Sequence, residues 1–210
     1  MYKVLITTSG IGSRLGELTK YTNKSLVRIG KKPTISYIIE KYDKNTPLVI
    51  TVGYFAQHVI DFCKLAYPDR DITFVKVENY DGQGSSLCYS MLQAKKELQC
   101  PFIFHACDTI VDWKIEDPEK YNWVAGYKMN DSSQYASFVT QNGTVTEFLG
   151  KGATDYDFIH IGLVGIRDFN SFWNNMQEAY DVNSDNSSLN DITGKEDLIS
   201  QKKGLKMIWV

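Results

Sequence analysis

Four stretches of this chain are apolar almost without interruption: Lys3 to Thr8, Pro47 to Val52, Ile72 to Val77 and Pro101 to Cys107. Short runs of this kind, rich in Val, Ile and Phe, mark strands buried on both faces, whereas a strand with one wet face alternates apolar and polar positions. Between them the period changes. Ile35, Ile38, Ile39 and Tyr42 recur at i, i+3, i+4 and i+7, one stripe of a helix that Pro33 opens. A second helix is predicted over 55–66, ended by Tyr67-Pro68-Asp69. A third runs from Leu87 to about Leu98, with Leu87, Met91, Leu92 and Leu98 inward and Ser85 or Ser86 as N-cap. Ser25 to Ile29 reads as a short strand. Strands alternating with helices at this spacing predict an α/β fold with a parallel sheet covered on both faces.

From Trp123 the pattern shortens. Val124 to Lys128, Tyr135 to Thr140, Val145 to Leu149 and Phe158 to Ile166 read as strands, with Gln141-Asn142-Gly143 as a hairpin signal. They predict a β-rich lobe that extends the sheet. Asp168 to Tyr180 is a helix whose stripe of Phe169, Phe172, Trp173 and Met176 is core. Asp181 to Ser188 reads as a loop, Asn190 to Gln201 as a last helix and Leu205 to Val210 as a last strand.

At 210 residues, 43% hydrophobic and 23% charged, the chain suits one folded domain with a sizeable core. A net charge of −2 without a lysine or arginine run gives no electrostatic case for nucleic acid or an anionic membrane as partner. No apolar stretch approaches the roughly 20 residues that span a bilayer. Met1-Tyr2-Lys3 leads directly into a strand without a cleavage site, so no signal peptide is expected. Cys63, Cys88, Cys100 and Cys107 show no C-x-x-C spacing and read as free thiols of a cytoplasmic protein rather than zinc ligands or disulfides.

The candidate chemistry begins where the first strand feeds Ser9-Gly10-Ile11-Gly12-Ser13-Arg14-Leu15-Gly16. A strand entering a glycine-rich turn forms a nest of backbone N–H groups suited to phosphate, and Arg14 adds a planar fork of donors. Lys24, ten residues on, is placed to return to the same phosphates. Asp108 stands at the carboxyl end of the fourth strand, where an acid can bind Mg²⁺ that bridges phosphates. Two other readings of the turn stay open: a plain chain reversal, and a Rossmann turn that binds NAD. The latter wants glycine at its sixth position, where Leu15 stands, and an acid ending the second strand, which here ends in Val52-Gly53-Tyr54.

Ser9-Gly10-Ile11-Gly12-Ser13-Arg14-Leu15, then Asn23-Lys24-Ser25-Leu26, then Gly30-Lys31-Lys32-Pro33 together resemble the signature of the sugar-phosphate nucleotidyltransferases, A-A-G-x-G-[ST]-R-L, P-K-x-L and K-P. Thr8 and Ser9 replace the two alanines, and Asn23 the proline. Asp108 after its strand resembles the family's metal-binding aspartate. Glu147-Phe148-Leu149-Gly150-Lys151 resembles its E-K element, and Ile161-Gly162-Leu163 its N-x-G-I-Y strand, with His160 where asparagine is usual.

The resemblance implies a Rossmann-like three-layer sandwich, one domain over 1–210, with 1–122 binding a nucleotide and 123–210 an acceptor. It implies transfer of NMP from a nucleoside triphosphate to a phosphorylated small molecule, releasing pyrophosphate and forming an activated NDP compound for glycan or surface polysaccharide synthesis. The acceptor would be a sugar 1-phosphate or a phospho-alcohol such as phosphocholine. Ser9, Gly10, Gly12 and Ser13 would meet the triphosphate, Arg14 the leaving oxygens and Lys24 the α-phosphate. Asn79, Gln83, Gly84 and Ser85 would lie along the base, Asp108 would hold Mg²⁺, and Lys151 and Gly162 would face the acceptor. A cationic acceptor would want an aromatic or acidic cage, for which Tyr135, Tyr156 and Asp157 are candidates.

Relatives commonly follow the last strand with W-x-D-x-G, whose aspartate completes the metal site, whereas this chain stops on Ile208-Trp209-Val210. The expectation is a fragment, or Mg²⁺ held by Asp108 and phosphates with Asp157 or Asp191. The same absence supports a reading of a different class, a nucleotide-binding or regulatory module without the chemistry.

Overall fold

In the computed structural model, which describes residues 1–184 and 206–209, the apolar runs become the parallel part of one mixed sheet. β1 (Lys3–Thr7) leads through the glycine turn to a small separate ribbon of β2 (Arg28–Ile29) and β3 (Lys32–Pro33). β4 (Leu48–Val52), β5 (Ile72–Lys76) and β6 (Phe102–Ala106) complete a parallel group in which β1 lies between β4 and β6 and β5 flanks β4. Val4, Leu5, Ile6 and Ile50 are wholly inaccessible. Both faces of β1, β4 and β6 are therefore covered, which is why these strands show no alternation, whereas β5, at the sheet edge, is only partly buried.

Successive strand residues point to opposite faces, so the two faces gather different partners. Val4, Ile6, Leu48 and Ile50 pack with Ile35, Ile38 and Ile39 of α1 (Thr34–Ile39) and Val59 and Cys63 of α2 (Ala56–Ala66). Leu5, Val49, Phe102 and Phe104 pack with Met91 of α3 (Leu87–Gln93) and Phe172, Trp173 and Met176 of α4 (Phe169–Ser184).

The later strands extend the same sheet. β7 (Trp123–Tyr127), β8 (Ser137–Gln141), β9 (Thr144–Leu149), β10 (Phe158–Ile166) and β11 (Lys206–Trp209) give the order β5-β4-β1-β6-β10-β7-β11-β9-β8, with β8 also paired to β10. β10 runs antiparallel to β6 and carries the β-rich lobe up against the parallel group. The Asn142-Gly143 hairpin has positive φ at both residues, as a two-residue turn requires.

Three boundaries differ from expectation. Ser25 to Ile29 does not form one strand: Asn23 Oδ1 accepts the Ser25 N–H at 2.9 Å and turns the chain into a 3-10 helix over Lys24–Leu26 before β2 begins. The third helix stops at Gln93, with a 3-10 turn over Lys95–Glu97, and its N-cap is Ser86, whose Oγ accepts the Tyr89 N–H at 2.9 Å. α4 continues to Ser184, into the stretch read as a loop. The rest of that loop and the helix expected over 190–201 lie outside the described residues. Among the described residues no helix is long and apolar enough to cross a membrane.

Candidate functional site

The parallel strands bring the ends of β1, β4 and β6 together, and a buried asparagine ties the turn after β1 to the turn after β4. Asn23 is fully inaccessible. Its Nδ2 donates to the carbonyls of Thr8 at 2.7 Å and Tyr54 at 2.6 Å, and its Oδ1 accepts from Ser25 N and Oγ at 2.9 and 2.8 Å. All of its donors and lone pairs are thereby used. The next residue, Lys24, is held between the glycine turn and β6. Gly12 has φ +69, and a Cβ there would stand 2.9 Å from Lys24 Cβ, so the turn needs glycine both for its backbone and for this approach.

Lys24 Nζ donates to Asp108 Oδ2 at 3.2 Å. Burial would lower the Lys24 pKa, but two neighbours offset that and leave it raised. One is Cys107, once its thiol ionises in the alkaline range where Lys24 itself titrates; the other is the Asp108 carboxylate, which alone of the two is charged at neutral pH. The ammonium stays charged. Burial pushes the Cys107 thiol up to about 11, so it stays protonated at neutral pH.

A cleft of about 1030 Å³ opens at this edge, and Arg14, Asp108, Lys151 and Gly162 all line it. Four residues singled out in the sequence thus meet in one cavity, and Lys24 reaches it through Asp108. Elsewhere the wall carries Asp112, Trp113, Tyr127, Met129, Tyr135 and His160. Apart from Tyr135 these were not expected to form a site. Tyr127 and Met129 are exposed just after the buried run Trp123 to Ala125, and large apolar side chains left in water at a strand's carboxyl end were the available signal.

His160 Nδ1 accepts the Gly162 N–H at 3.0 Å, so the ring proton sits on Nε2. Burial lowers its pKa to about 4, which keeps it neutral.

Other expected residues are engaged elsewhere. The Ser9 side chain is buried and shares a 2.8 Å hydrogen bond with Ser90 Oγ, so it anchors the turn to α3 and does not face a ligand. In the loop over 78–86, Asn79 Nδ2 donates to the Gln83 carbonyl at 3.1 Å and Ser85 Oγ to the Gly82 carbonyl at 2.7 Å. Neither these residues nor Gln83 and Gly84 line the cleft. Of the cage candidates only Tyr135 does so. Tyr156 OH donates to the Met129 carbonyl at 2.7 Å, and Asp157 Oδ2 accepts from Thr140 N at 2.6 Å and Oγ1 at 3.0 Å. Asp157 Oδ2 is thus held on β8 and Asp157 does not line the cleft, and Asp191 lies outside the described residues.

Mg²⁺ commonly keeps several waters and is bound by one or two carboxylates together with substrate phosphates. Asp108 fits such a role: its side chain is 66% exposed and only Oδ2 is engaged, by Lys24. Among the described residues no three His, Cys, Asp or Glu side chains cluster to form an all-protein cage.

The glycine turn continues into a 3-10 helix over Ser13–Thr19, broken at Gly16 (φ 53, ψ −123). A dinucleotide site needs a regular α-helix whose N-terminus holds the pyrophosphate. The NAD reading is set aside.

No protein-family model matches the chain. The choline-phosphate cytidylyltransferase of Streptococcus pneumoniae (strain ATCC BAA-255 / R6) is 32% identical over 106 residues, half of this chain and 44% of that protein. The match therefore spans less than half the length of the curated relative. Over the whole chain, the structure of a CTP:phosphocholine cytidylyltransferase from Streptococcus pneumoniae superposes with a TM-score of 0.73 at 17% identity, covering 100% of this chain and 90% of that one. The fold is that of the nucleotidyltransferases. An inositol-1-phosphate CTP transferase from T. maritima shares it, with a TM-score of 0.69 at 14% identity, covering 100% of this chain and 85% of that one. Within the nucleotidyltransferase fold, the cleft lies at the carboxyl ends of β1 and β6, where open α/β sheets bind ligands.

Proposed function

We propose that this protein transfers a nucleotidyl group from a nucleoside triphosphate to a phosphorylated small-molecule acceptor, releasing pyrophosphate. The observation that carries the reading is the convergence of Arg14, Asp108 with its partner Lys24, and Lys151 on one cleft. Residues 1–122 bind the nucleotide and 123–210 the acceptor. The acceptor phosphate, largely dianionic at pH 7 because its second pKa is about 6, attacks the α-phosphorus without a general base. What the protein must do is align two anions and neutralise the charge that moves to the leaving pyrophosphate.

The amides of Gly10, Gly12 and Ser13 cradle the triphosphate. Arg14 takes the leaving oxygens, Lys24 the α-phosphate and Lys151 the acceptor phosphate. Asp108 would hold Mg²⁺, which supplies charge neutralisation between the phosphates when bound. Within this reading a cationic phospho-alcohol such as phosphocholine is the favoured acceptor and CTP the favoured donor. Trp113, Tyr127 and Tyr135 offer aromatic faces and Asp112 a carboxylate to a quaternary ammonium. The similarity to a choline-phosphate cytidylyltransferase supports the same choice. That Cys63, Cys88, Cys100 and Cys107 remain thiols outside any disulfide supports a reducing, cytoplasmic setting.

The test is pyrophosphate release from CTP, UTP, dTTP, GTP or ATP with Mg²⁺, each combined with phosphocholine, phosphoethanolamine, glucose 1-phosphate or inositol 1-phosphate. Release from one triphosphate, strictly dependent on an acceptor, is the expected result. Nucleotide binding without release for any pair would leave the non-catalytic module in its place.

A further inference from the structure

The cleft is served by a buried histidine that does not line it. His105 lies in β6, fully inaccessible in a strand that is otherwise apolar. A polar ring there is tolerated only if both nitrogens are bonded. Nε2 lies 2.9 Å from the Thr109 carbonyl oxygen, which can only accept, so Nε2 carries the proton. Nδ1 then accepts from Tyr42 OH at 2.7 Å, and the two rings meet edge to face at 5.8 Å. Burial lowers the His105 pKa to about 4, so the neutral tautomer persists at physiological pH.

Thr109 directly follows Asp108, and each of its polar groups is tied. Its N–H donates to the Ala106 carbonyl at 3.1 Å, its carbonyl accepts from His105, and its Oγ1 donates to the Ile161 carbonyl. The last bond joins the turn to β10 beside Gly162, which has φ +77 and where a Cβ would stand 2.7 Å from Ala106 Cβ. One turn therefore holds the carboxylate that meets Lys24 and also touches the acceptor strand.

We infer that His105 is the positioning residue of this site: its Nε2–H, held on the Thr109 carbonyl, fixes the turn that presents Asp108 to Lys24 and to the phosphates. The inference rests on the function proposed above for its effect on turnover, but the ordering of the turn can be read without turnover.

The experiment uses two amide variants of the full chain. His105→Gln places an N–H near the position of Nε2 and keeps the bond to Thr109, whereas His105→Asn is shorter, reaches only toward Tyr42 and loses it. Backbone hydrogen exchange without ligand reports on the turn. Exchange at the Thr109 amide is expected to speed up about tenfold or more in His105→Asn and to stay near parental in His105→Gln, with the core amides of Leu5 and Ile50 unchanged in both. Pyrophosphate release is then followed against Mg²⁺ concentration at a temperature where all three proteins are folded. His105→Asn is expected to lose about 10- to 100-fold in kcat and to need several-fold more Mg²⁺, and His105→Gln to recover most of both.

Equal exchange at Thr109 in parent and His105→Asn would overturn the inference. So would identical kinetics in the two variants, because packing alone does not distinguish which end of the ring is replaced. A parent that releases no pyrophosphate refutes the function instead, and the exchange result still decides the positioning.

Discussion

Lys24 and Lys151 are both assigned to phosphates, yet their surroundings have little in common. Lys24 follows a buried asparagine that makes four hydrogen bonds, sits against Gly12 and bonds Asp108 at 3.2 Å. Lys151 stands exposed after β9 beside a cleft wall of exposed side chains such as Tyr127 and Met129. Lys24 is held by the protein's own contacts, whereas the Lys151 side chain is exposed to solvent. Preorganised charge acts most strongly where charge moves in the transition state, whereas an exposed cation contributes to binding in ground and transition state alike.

If that contrast is right, removing Lys24 has the largest effect. Lys24→Ala is expected to lower kcat/KM by about 10³-fold or more. Its melting temperature should scarcely change, because an ion pair to a carboxylate that is 66% exposed contributes about 1 kcal/mol at most. Turnover within tenfold of the parent would remove Lys24 from the mechanism. The next effect is on the support. Asn23→Ala leaves the buried Thr8 carbonyl and the partly buried Tyr54 carbonyl without their donor and is expected to destabilise the fold by about 2–4 kcal/mol in denaturant melts. Asn23→Pro sharpens the point. The backbone there, φ −71 and ψ 145, already suits a proline ring, so the variant removes the same side-chain bonds without bending the chain. If it is as stable as the parent, the four bonds contribute nothing.

Asn23 also shows what could be read in advance. It entered as a departure from a P-K pattern, and its backbone conformation is the one proline imposes, so the pattern recorded geometry and not chemistry. The parallel strands were legible as near-continuous apolar runs, which burial on both faces explains for β1, β4 and β6, and α1 because its stripe meets a single sheet face. Arg14, Lys24, Asp108, Lys151 and Gly162 could be singled out because each stands in a motif of known order, and the structure brings all but Lys24 onto one cleft, with Lys24 bonded to Asp108. What escaped depended on contacts between distant parts of the chain. Nothing near Ser9 announces Ser90, and nothing near Asp157 announces that Thr140 takes its carboxylate. The cleft wall of Tyr127 and His160 comes from strands whose register is set by pairing and not by local pattern, and Met129 follows the first of them.

The fold holds two histidines neutral, His105 fully buried and His160 partly buried on the cleft wall, which offers a test by pH. His105 and His160 are both held near a pKa of about 4 by burial, against about 6.5 in an unfolded chain. Between those values the unfolded state binds more protons, so the stabilisation is complete above about pH 6.5 and declines as pH falls toward 4. At pH 5 the His105 contribution alone is expected to be reduced by on the order of 2 kcal/mol. Denaturant midpoints at pH 7.5 and 5 measure it, and His105→Gln should lose part of the difference. A midpoint that does not move between the two pH values would mean that neither ring is held neutral by the fold.

The smallest expected effect is at Lys151. It lies on the exposed side of the comparison, and its truncation leaves no buried group unpaired, so Lys151→Ala should melt with the parent. Its loss removes attraction for the acceptor phosphate before and during reaction equally, which raises KM and leaves kcat nearly unchanged. An increase of about tenfold in the acceptor KM, with the triphosphate KM unmoved, is the expected pattern for a charge-assisted contact of roughly 1.5 kcal/mol. The split is what makes the measurement decisive. If the triphosphate KM rises and the acceptor KM does not, Lys151 serves the donor, and the division of the cleft between the two substrates must be redrawn. If kcat falls as far as in Lys24→Ala, the acceptor side is as preorganised as the donor side, and the contrast between the two lysines fails.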